Sequence, residues 1–488
     1  MGGRVVSGAS GRVGAVYDPA RGVQTGEVAL ASADEVADVV KVARDAAREW
    51  ALSSLSRRTS ALFKLRELID AHRDDLADAI TREHGKVRSD ALGEVARGLD
   101  CVEFACGIPQ LLKGAHSSEV STGIDVHTVL HPVGVVAGIT PFNFPVMVPL
   151  WMAANALACG NAFVLKPSER DPSASMVLAR LVDDAGFPDG VFNVVHGDAV
   201  AVNALVEHPD VDAISFVGST PIARHVYESG TAHGKRVQAL GGAKNHMVVL
   251  PDADLDGAAD AAVSAAYGSA GERCMAISVV VAVGSAADPL VAAITSKIGD
   301  VVIGPGDQAG SMMGPVITAA HRDRVRSYVA GAADEGARVV VDGSAPPVDG
   351  DGFFLGCSLL DGVEPGMKVY DDEIFGPVLC VVRVPSLDDA IGLVNANPYG
   401  NGVALFTRDG GAARRFQREI EVGMVGINVP IPVPVAWHSF GGWKASIFGD
   451  TAIYGPEGVR FYTKQQVVST RWPDPAPSRL DLGFPTTR

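Results

Sequence analysis

The segment Tyr267-Gly268-Ser269-Ala270-Gly271-Glu272-Arg273-Cys274-Met275 sets a cysteine after a run of small residues and beside an arginine. Small side chains let a ligand come close, and a neighbouring cation favours the thiolate, the form in which sulfur is nucleophilic. The other cysteines, Cys101, Cys106, Cys159, Cys357 and Cys380, lack such a setting and are expected to be buried, inert thiols. A thiolate of this kind adds to an aldehyde, and loss of hydride to an acceptor then leaves a thioester on the sulfur. The first adduct carries an oxyanion that needs hydrogen-bond donors. The Cys274 N–H and the Asn143 side chain are the candidates, and loss of one such donor typically costs ~2.7–4 kcal/mol.

The residues at the ends of the β-rich runs suggest an acceptor site. After Val133–Ile139 comes Thr140-Pro141-Phe142-Asn143-Phe144-Pro145; after Ala162–Leu165 comes Lys166-Pro167-Ser168-Glu169-Arg170; after Ala213–Phe216 comes Val217-Gly218-Ser219-Thr220. Lys166 suits a ribose hydroxyl or a phosphate, and Gly218-Ser219 opens a helix, where backbone N–H groups favour a pyrophosphate. Each alone is what an ordinary strand-end turn looks like; three at successive strand ends point to the crevice where α/β sheets bind ligands. The dinucleotide fingerprint G-x-G-x-x-G is absent: Gly304-Pro305-Gly306 is followed by Gly310, one residue too far. There is no P-loop, no G-x-S-x-G and no metal-ligand spacing of His and Cys.

The elements that must position these residues change along the chain. Ser32-Ala33-Asp34-Glu35 is a capping box opening a helix to about Trp50. Further helices are expected over 55–83 and 91–112, then an exposed strand over 123–130. From 133 to 250, short β-rich runs, the last being Met247–Leu250, alternate with helical segments at about 145–158, 174–185, 199–206 and 222–228. A second alternating block runs from about 255 to 426. Such alternation predicts parallel sheets covered by helices on both faces. The stretch 458–468 reads as a late strand, and the tail beyond Trp472 is Pro-rich and expected to be loosely held.

Composition bounds the function. The 488 residues carry 41 Lys+Arg against 57 Asp+Glu, a formal charge of −16, with 47% hydrophobic residues. That is enough apolar material for folded cores and too much for a disordered chain. The acidic balance argues against nucleic acid or an anionic membrane as partner. If the ligand is also anionic, local groups must hold it against the field of the whole chain. Met1–Val16 lacks a leader pattern, the longest apolar stretch is too short to span a bilayer, and no two cysteines form C-x-x-C. A cytoplasmic location is expected.

Taken together, these motifs resemble those of the aldehyde dehydrogenase superfamily. The residues that carry the resemblance are Thr140–Pro145, Lys166–Glu169, Phe216–Thr220, Gly241-Gly242, Gly271–Cys274, Glu373-Ile374-Phe375-Gly376-Pro377 and Ser439-Phe440-Gly441-Gly442-Trp443-Lys444. The resemblance implies Cys274 as nucleophile and Asn143 as oxyanion donor. It implies NAD held by Thr140, Phe142, Lys166, Glu169, Arg170, Ser219, Gly241 and Glu373, with Lys166 and Glu373 on ribose hydroxyls. A carboxylate on a ribose repels a 2′-phosphate, which favours NAD over NADP unless Glu373 serves the other ribose. The fold implied is two doubly wound α/β domains, a Rossmann-type cofactor domain and a catalytic domain, plus a small β oligomerisation arm. Residues 1–120 and 134–245 would form the first, 246–430 the second, and 121–133 with 456–475 the arm. A homotetramer, as a dimer of dimers, is implied as well, with edge strands as its physical route.

One position departs from the common pattern. Hydrolytic members carry a Glu just before Leu-Gly-Gly, whereas here the run is Gln238-Ala239-Leu240-Gly241-Gly242-Ala243-Lys244-Asn245-His246. Ala239 cannot take a proton, so water attack on the thioester loses a general base, usually worth 10²–10⁴-fold. A thiol such as coenzyme A needs less assistance. Gly242–His246, Gly271–Ala276, Pro141–Pro145 with Phe142, and Gly93-Glu94-Val95-Ala96-Arg97-Gly98 are similar to the CoA-acylating methylmalonate-semialdehyde dehydrogenases. That branch implies oxidation of methylmalonate or malonate semialdehyde with decarboxylation to propionyl-CoA or acetyl-CoA, as in valine or inositol breakdown. It also implies that Arg97 and Arg273 bind the substrate carboxylate, for which Arg is suited. Arg97 could equally be a solvated helix arginine, and Arg273 could only tune Cys274 or pair with Glu272. The rival activity is a hydrolytic NAD-dependent semialdehyde dehydrogenase using another base, such as Glu272; a fold that has lost its chemistry fits less well with Cys274, Asn143, Lys166 and Glu373 all present.

Overall fold

The computed structural model describes residues 1–472. The expected strands after residue 133 form, and they bury both faces: Val135–Ile139 and Ala162–Lys166 are buried at every position. Alternate residues feed different cores. Val136, Phe163 and Leu165 pack into one cluster, while Val135, Ala137, Ile139, Ala162 and Val164 pack into another on the opposite face. This two-sided burial explains why the runs are continuously apolar.

A six-stranded sheet has the order 447–448, 236–240, 213–217, 135–139, 162–166, 192–194. All neighbours are parallel except the short Ile447–Phe448, which is antiparallel to Arg236–Leu240. The chain starts in the middle, fills one side, then crosses to the other. The strand order therefore reverses between Val135–Ile139 and Ala213–Val217, the place where doubly wound sheets bind ligands. A seven-stranded sheet has the order 338–341, 358–361, 378–384, 277–283, 245–249, 402–406, 424–427, with its own core. The run at 247–250 belongs to this second sheet. A third, antiparallel sheet pairs Ile124–Pro132 with His116–Ser121 on one side and Thr463–Arg471 on the other.

The first helix, Ala33–Ala51, has the capping box of Ser32 and Glu35, and Val36, Val39, Val40, Ala43, Ala47 and Trp50 form its buried stripe. Several expectations need correction. The single helix over 55–83 is two, Leu55–Ala71 and Arg73–His84, broken at His72, whose backbone leaves the helical region. The helix expected to reach 112 ends at Cys106, followed by a short 3₁₀ turn. The late strand is preceded by a helix, Gly455–Phe461, with Pro in its first turn, and pairing starts only at Thr463. Arg236–Leu240 is a strand that the sequence pattern does not mark, because Gln238 interrupts its apolar run. Gln238 is buried, accepting from Ser215 Oγ at 2.7 Å and donating to the Ala452 carbonyl at 3.2 Å. The Pro-rich tail lies outside the described residues, as do residues 473–475 of the expected arm. Among the described residues no helix is long and apolar enough to cross a membrane, and no group of three or more His, Cys, Asp or Glu could hold a metal ion.

Candidate active site

Cys274 follows the helix Leu255–Tyr267 through a tight turn in which Ser269, Ala270 and Gly271 all have positive φ (54°, 52° and 75°). For the two non-glycine residues this costs roughly 1–2 kcal/mol each. Gly271 is required for a second reason: a Cβ there would run into the Gly376 carbonyl. The cysteine turn and the Glu373–Pro377 motif, a hundred residues apart, are thus locked together. Of the six cysteines only Cys274 is not buried. Two side-chain amides hold its main-chain carbonyl, Asn245 Nδ2 at 2.9 Å and Asn401 Nδ2 at 3.1 Å. The sequence alone points to neither amide: Asn245 stands within the Gly242–His246 motif without a role of its own, and Asn401 carries no local signal.

The thiol is surrounded closely enough that burial pushes it up to about 12, and Glu373 adds to the rise. The N–H groups of Cys274 and Met275 and the Arg273 cation pull the other way. Cys274, Arg273, Ala243, Asn245, Glu373 and Phe375 line one cleft. Asn143 is buried, and its Nδ2 donates at 3.0 Å to the carbonyl of Glu272, two residues before Cys274. One amide hydrogen is therefore used on the cysteine turn, and a second remains.

Thr140, Lys166 and Ser219, expected on the cofactor side, lie at the carboxyl ends of strands of the six-stranded sheet. Thr140 N–H donates to the Lys166 carbonyl at 3.1 Å, joining two of the strand ends. Lys166 is buried, with Nζ 3.2 Å from Glu169. Ser219 caps Thr220–Ala232 with its backbone only, and its hydroxyl makes no capping bond. Thr140 Oγ1 is buried with no partner at all. An unused hydroxyl, a lysine and an open helix N-terminus fit a dinucleotide's sugar and pyrophosphate. Beneath the last strand, Gly241 N–H donates to Ser446 O, Gly242 N–H to Thr220 Oγ1 and Ala243 N–H to Glu373 Oε1, at 3.0, 2.8 and 3.0 Å. Burial pushes Glu373 up to about 7. Phe142 meets Phe375 edge-on at 5.9 Å, with the Arg170 guanidinium 5.5 Å from its ring. Ala239 is buried opposite Phe448 and offers no acceptor.

The two arginines are apart in role. Arg273 Nη2 forms a half-buried ion pair with Asp90 at 2.6 Å, and its guanidinium packs against Gly268. It does not pair with Glu272. Arg97 is exposed on the helix Arg88–Cys106, in a loose 3.4 Å contact with Asp100. Burial raises the Tyr454 phenol, with the Arg97 charge opposing the rise. The Tyr454 ring itself packs on Trp151 and Phe440. Glu272 is buried between His84 Nε2 at 3.8 Å and His321 Nε2 at 3.7 Å, and accepts from Ile317 N–H at 3.2 Å. Burial raises it to about 8, and holds His84 well below the usual histidine range.

A doubly wound α/β sheet whose strand ends lie beside a cysteine turn is an architecture suited to a dehydrogenase, and residues 5–468 match the aldehyde dehydrogenase family model. The chain belongs to that family. Its relatives narrow the comparison: it is 53% identical over 470 residues to a malonate-semialdehyde dehydrogenase of Pseudomonas aeruginosa, covering 96% of this chain and 95% of the relative. It is 48% identical to the malonate-semialdehyde dehydrogenase of Halalkalibacterium halodurans, with 97% of each chain covered. Among solved structures, a methylmalonate-semialdehyde dehydrogenase from Oceanimonas doudoroffii superposes with a TM-score of 0.96 at 52% identity, covering 97% of this chain and 98% of that one. A Sinorhizobium meliloti structure assigned to the same activity and complexed with NAD gives 0.96 at 49% identity, with 97% of each chain covered.

Proposed function

We propose that this chain is an NAD-dependent, CoA-acylating dehydrogenase of malonate or methylmalonate semialdehyde. Cys274 attacks the aldehyde carbon and passes its proton to solvent or to a nearby carboxylate. The Asn143 amide and the Cys274 N–H receive the oxyanion. Thr140, Lys166, Glu169, Ser219 and Glu373 hold NAD, with Phe142, Arg170 and Gly241 shaping its pocket. When bound, NAD supplies the hydride acceptor. The thioester left on Cys274 lets the β-carboxylate depart as carbon dioxide, because its carbonyl delocalises the enolate. After protonation, the coenzyme A thiol displaces the acyl group and frees Cys274. Subunits associate through the three-stranded sheet, whose Thr463–Arg471 strand leaves one edge open.

The observation that carries the reading is a cysteine beside Asn143 and Glu373 with Ala at position 239, a site built to make a thioester and poorly equipped to hydrolyse it. NADH formation from malonate semialdehyde is measured with and without coenzyme A. Sustained turnover only with coenzyme A, giving acetyl-CoA, is expected, and Cys274→Ala abolishes it. Steady release of free acid without coenzyme A would sink the acylating reading.

A further inference from the structure

Asn143 lies in an irregular loop between the strand Val135–Ile139 and the helix Met147–Ala158. No side chain in that loop caps the helix: Val146 holds the cap position and makes no side-chain capping bond, and the Phe144 carbonyl accepts from Val148 N–H at 3.3 Å. The cap comes from another helix. Glu94, on Arg88–Cys106, accepts from the N–H groups of Val146 at 2.8 Å and Met147 at 3.2 Å through one carboxylate oxygen. Its other oxygen accepts from Lys86 Nζ at 2.8 Å. The same ammonium donates to the Asn143 main-chain carbonyl at 2.6 Å and lies 4.4 Å from the centre of the Phe144 ring. Both charged side chains are fully buried.

A buried ion pair is a poor source of net stability, because desolvation offsets most of the attraction. What it supplies is geometry. Here the fixed points are the Asn143 carbonyl and the two N–H groups that begin the next helix. Between them they set the backbone from which the Asn143 amide reaches the Glu272 carbonyl of the cysteine turn.

We propose that the Lys86–Glu94 pair is a positioning device for Asn143, acting on the chemistry at Cys274 through that residue. The idea rests on the roles given above to Asn143 and Cys274, and not on the substrate. Single-turnover NADH formation is measured with propanal and with malonate semialdehyde for the wild type, Lys86→Met, Asn143→Ala and the double variant. NAD affinity and thermal melting are followed alongside. Removing an oxyanion donor costs about 10²–10³-fold, so Lys86→Met is expected to slow the turnover by at least about 10-fold. KM and NAD affinity stay within about twofold, and Lys86→Met has almost no further effect in the Asn143→Ala background. Lys86→Arg, which keeps the charge and donors, recovers part of the rate. Losses that multiply in the double variant, or a Lys86→Met rate within about twofold of wild type, overturn the proposal. If Lys86→Met does not fold, Glu94→Gln replaces it in the same cycle, since it keeps an acceptor for Val146 and Met147 but drops the charge facing Lys86. NADH from propanal but none from malonate semialdehyde overturns the substrate reading alone and leaves this one standing.

Discussion

A thiol held at about 12 is almost fully protonated at pH 7, so in the proposed mechanism Cys274 gives up its proton in the course of attack. Burial is the main cause, and the one nearby cation that opposes it, Arg273, is shared with Asp90. The same sharing bears on substrate binding. For Arg273 to clamp a carboxylate it must give up a 2.6 Å ion pair, whereas Arg97 has only a loose contact to release. Arg97 is therefore the cation expected to carry the substrate carboxylate. A hydrogen bond to a charged group is worth about 1.5–3 kcal/mol, so Arg97→Ala should raise KM for malonate semialdehyde by roughly 10-fold or more. KM for propanal, which has no carboxylate, should stay within about twofold of wild type. Equal effects on both substrates would retire the clamp.

The cysteine turn is strained at Ser269 and Ala270, so something must hold it from behind, and the Glu272 side chain wedged between His84, His321 and the Ile317 N–H does so. Its carboxyl is raised from 4.5 to about 8 by burial, with the Ile317 N–H, then Lys86 and Arg170, pulling down. The folded chain keeps this proton while the unfolded chain releases it, so the contribution to stability is present below pH 4.5 and lost as pH rises to about 8. Glu272→Gln cannot ionise, and relative to it the wild type should lose up to about 1.4 kcal/mol per pH unit across that window. Denaturant melts of both proteins at pH 5, 6.5 and 8 check this, and a constant gap would show that Glu272 is ionised in the fold. Little of this cluster was legible in the sequence. Thr140, Lys166 and Ser219 stand out as candidates because strand ends are marked by local pattern, and Cys274 because small residues precede it. Glu94 and Lys86 act on Asn143 from 49 and 57 residues away, and His84 meets Glu272 only through tertiary packing. Likewise Gln238 hid a strand, since burial of a polar side chain depends on partners such as Ser215 that no local pattern reveals.

At the scale of the whole molecule, a formal charge of −16 faces the proposed ligands, which are themselves anionic: NAD, coenzyme A and a semialdehyde carboxylate. The two contributions act over different ranges. On the proposed reading, Lys166 and the helix N-terminus at Ser219 act within a few ångströms, and Lys166 is buried where solvent screens poorly. The surface carboxylates act over the Debye length, about 30 Å at 0.01 M salt and about 10 Å at 0.1 M. Raising salt across that range removes most of the long-range repulsion and little of the contact attraction. The association rate of NAD, followed by stopped-flow quenching of protein fluorescence, should therefore rise by roughly two- to threefold between those salt concentrations. The dissociation rate should change less, because it reports contacts already made. A rate that falls with salt would mean that the cleft's own positive potential extends into solvent and outweighs the acidic exterior.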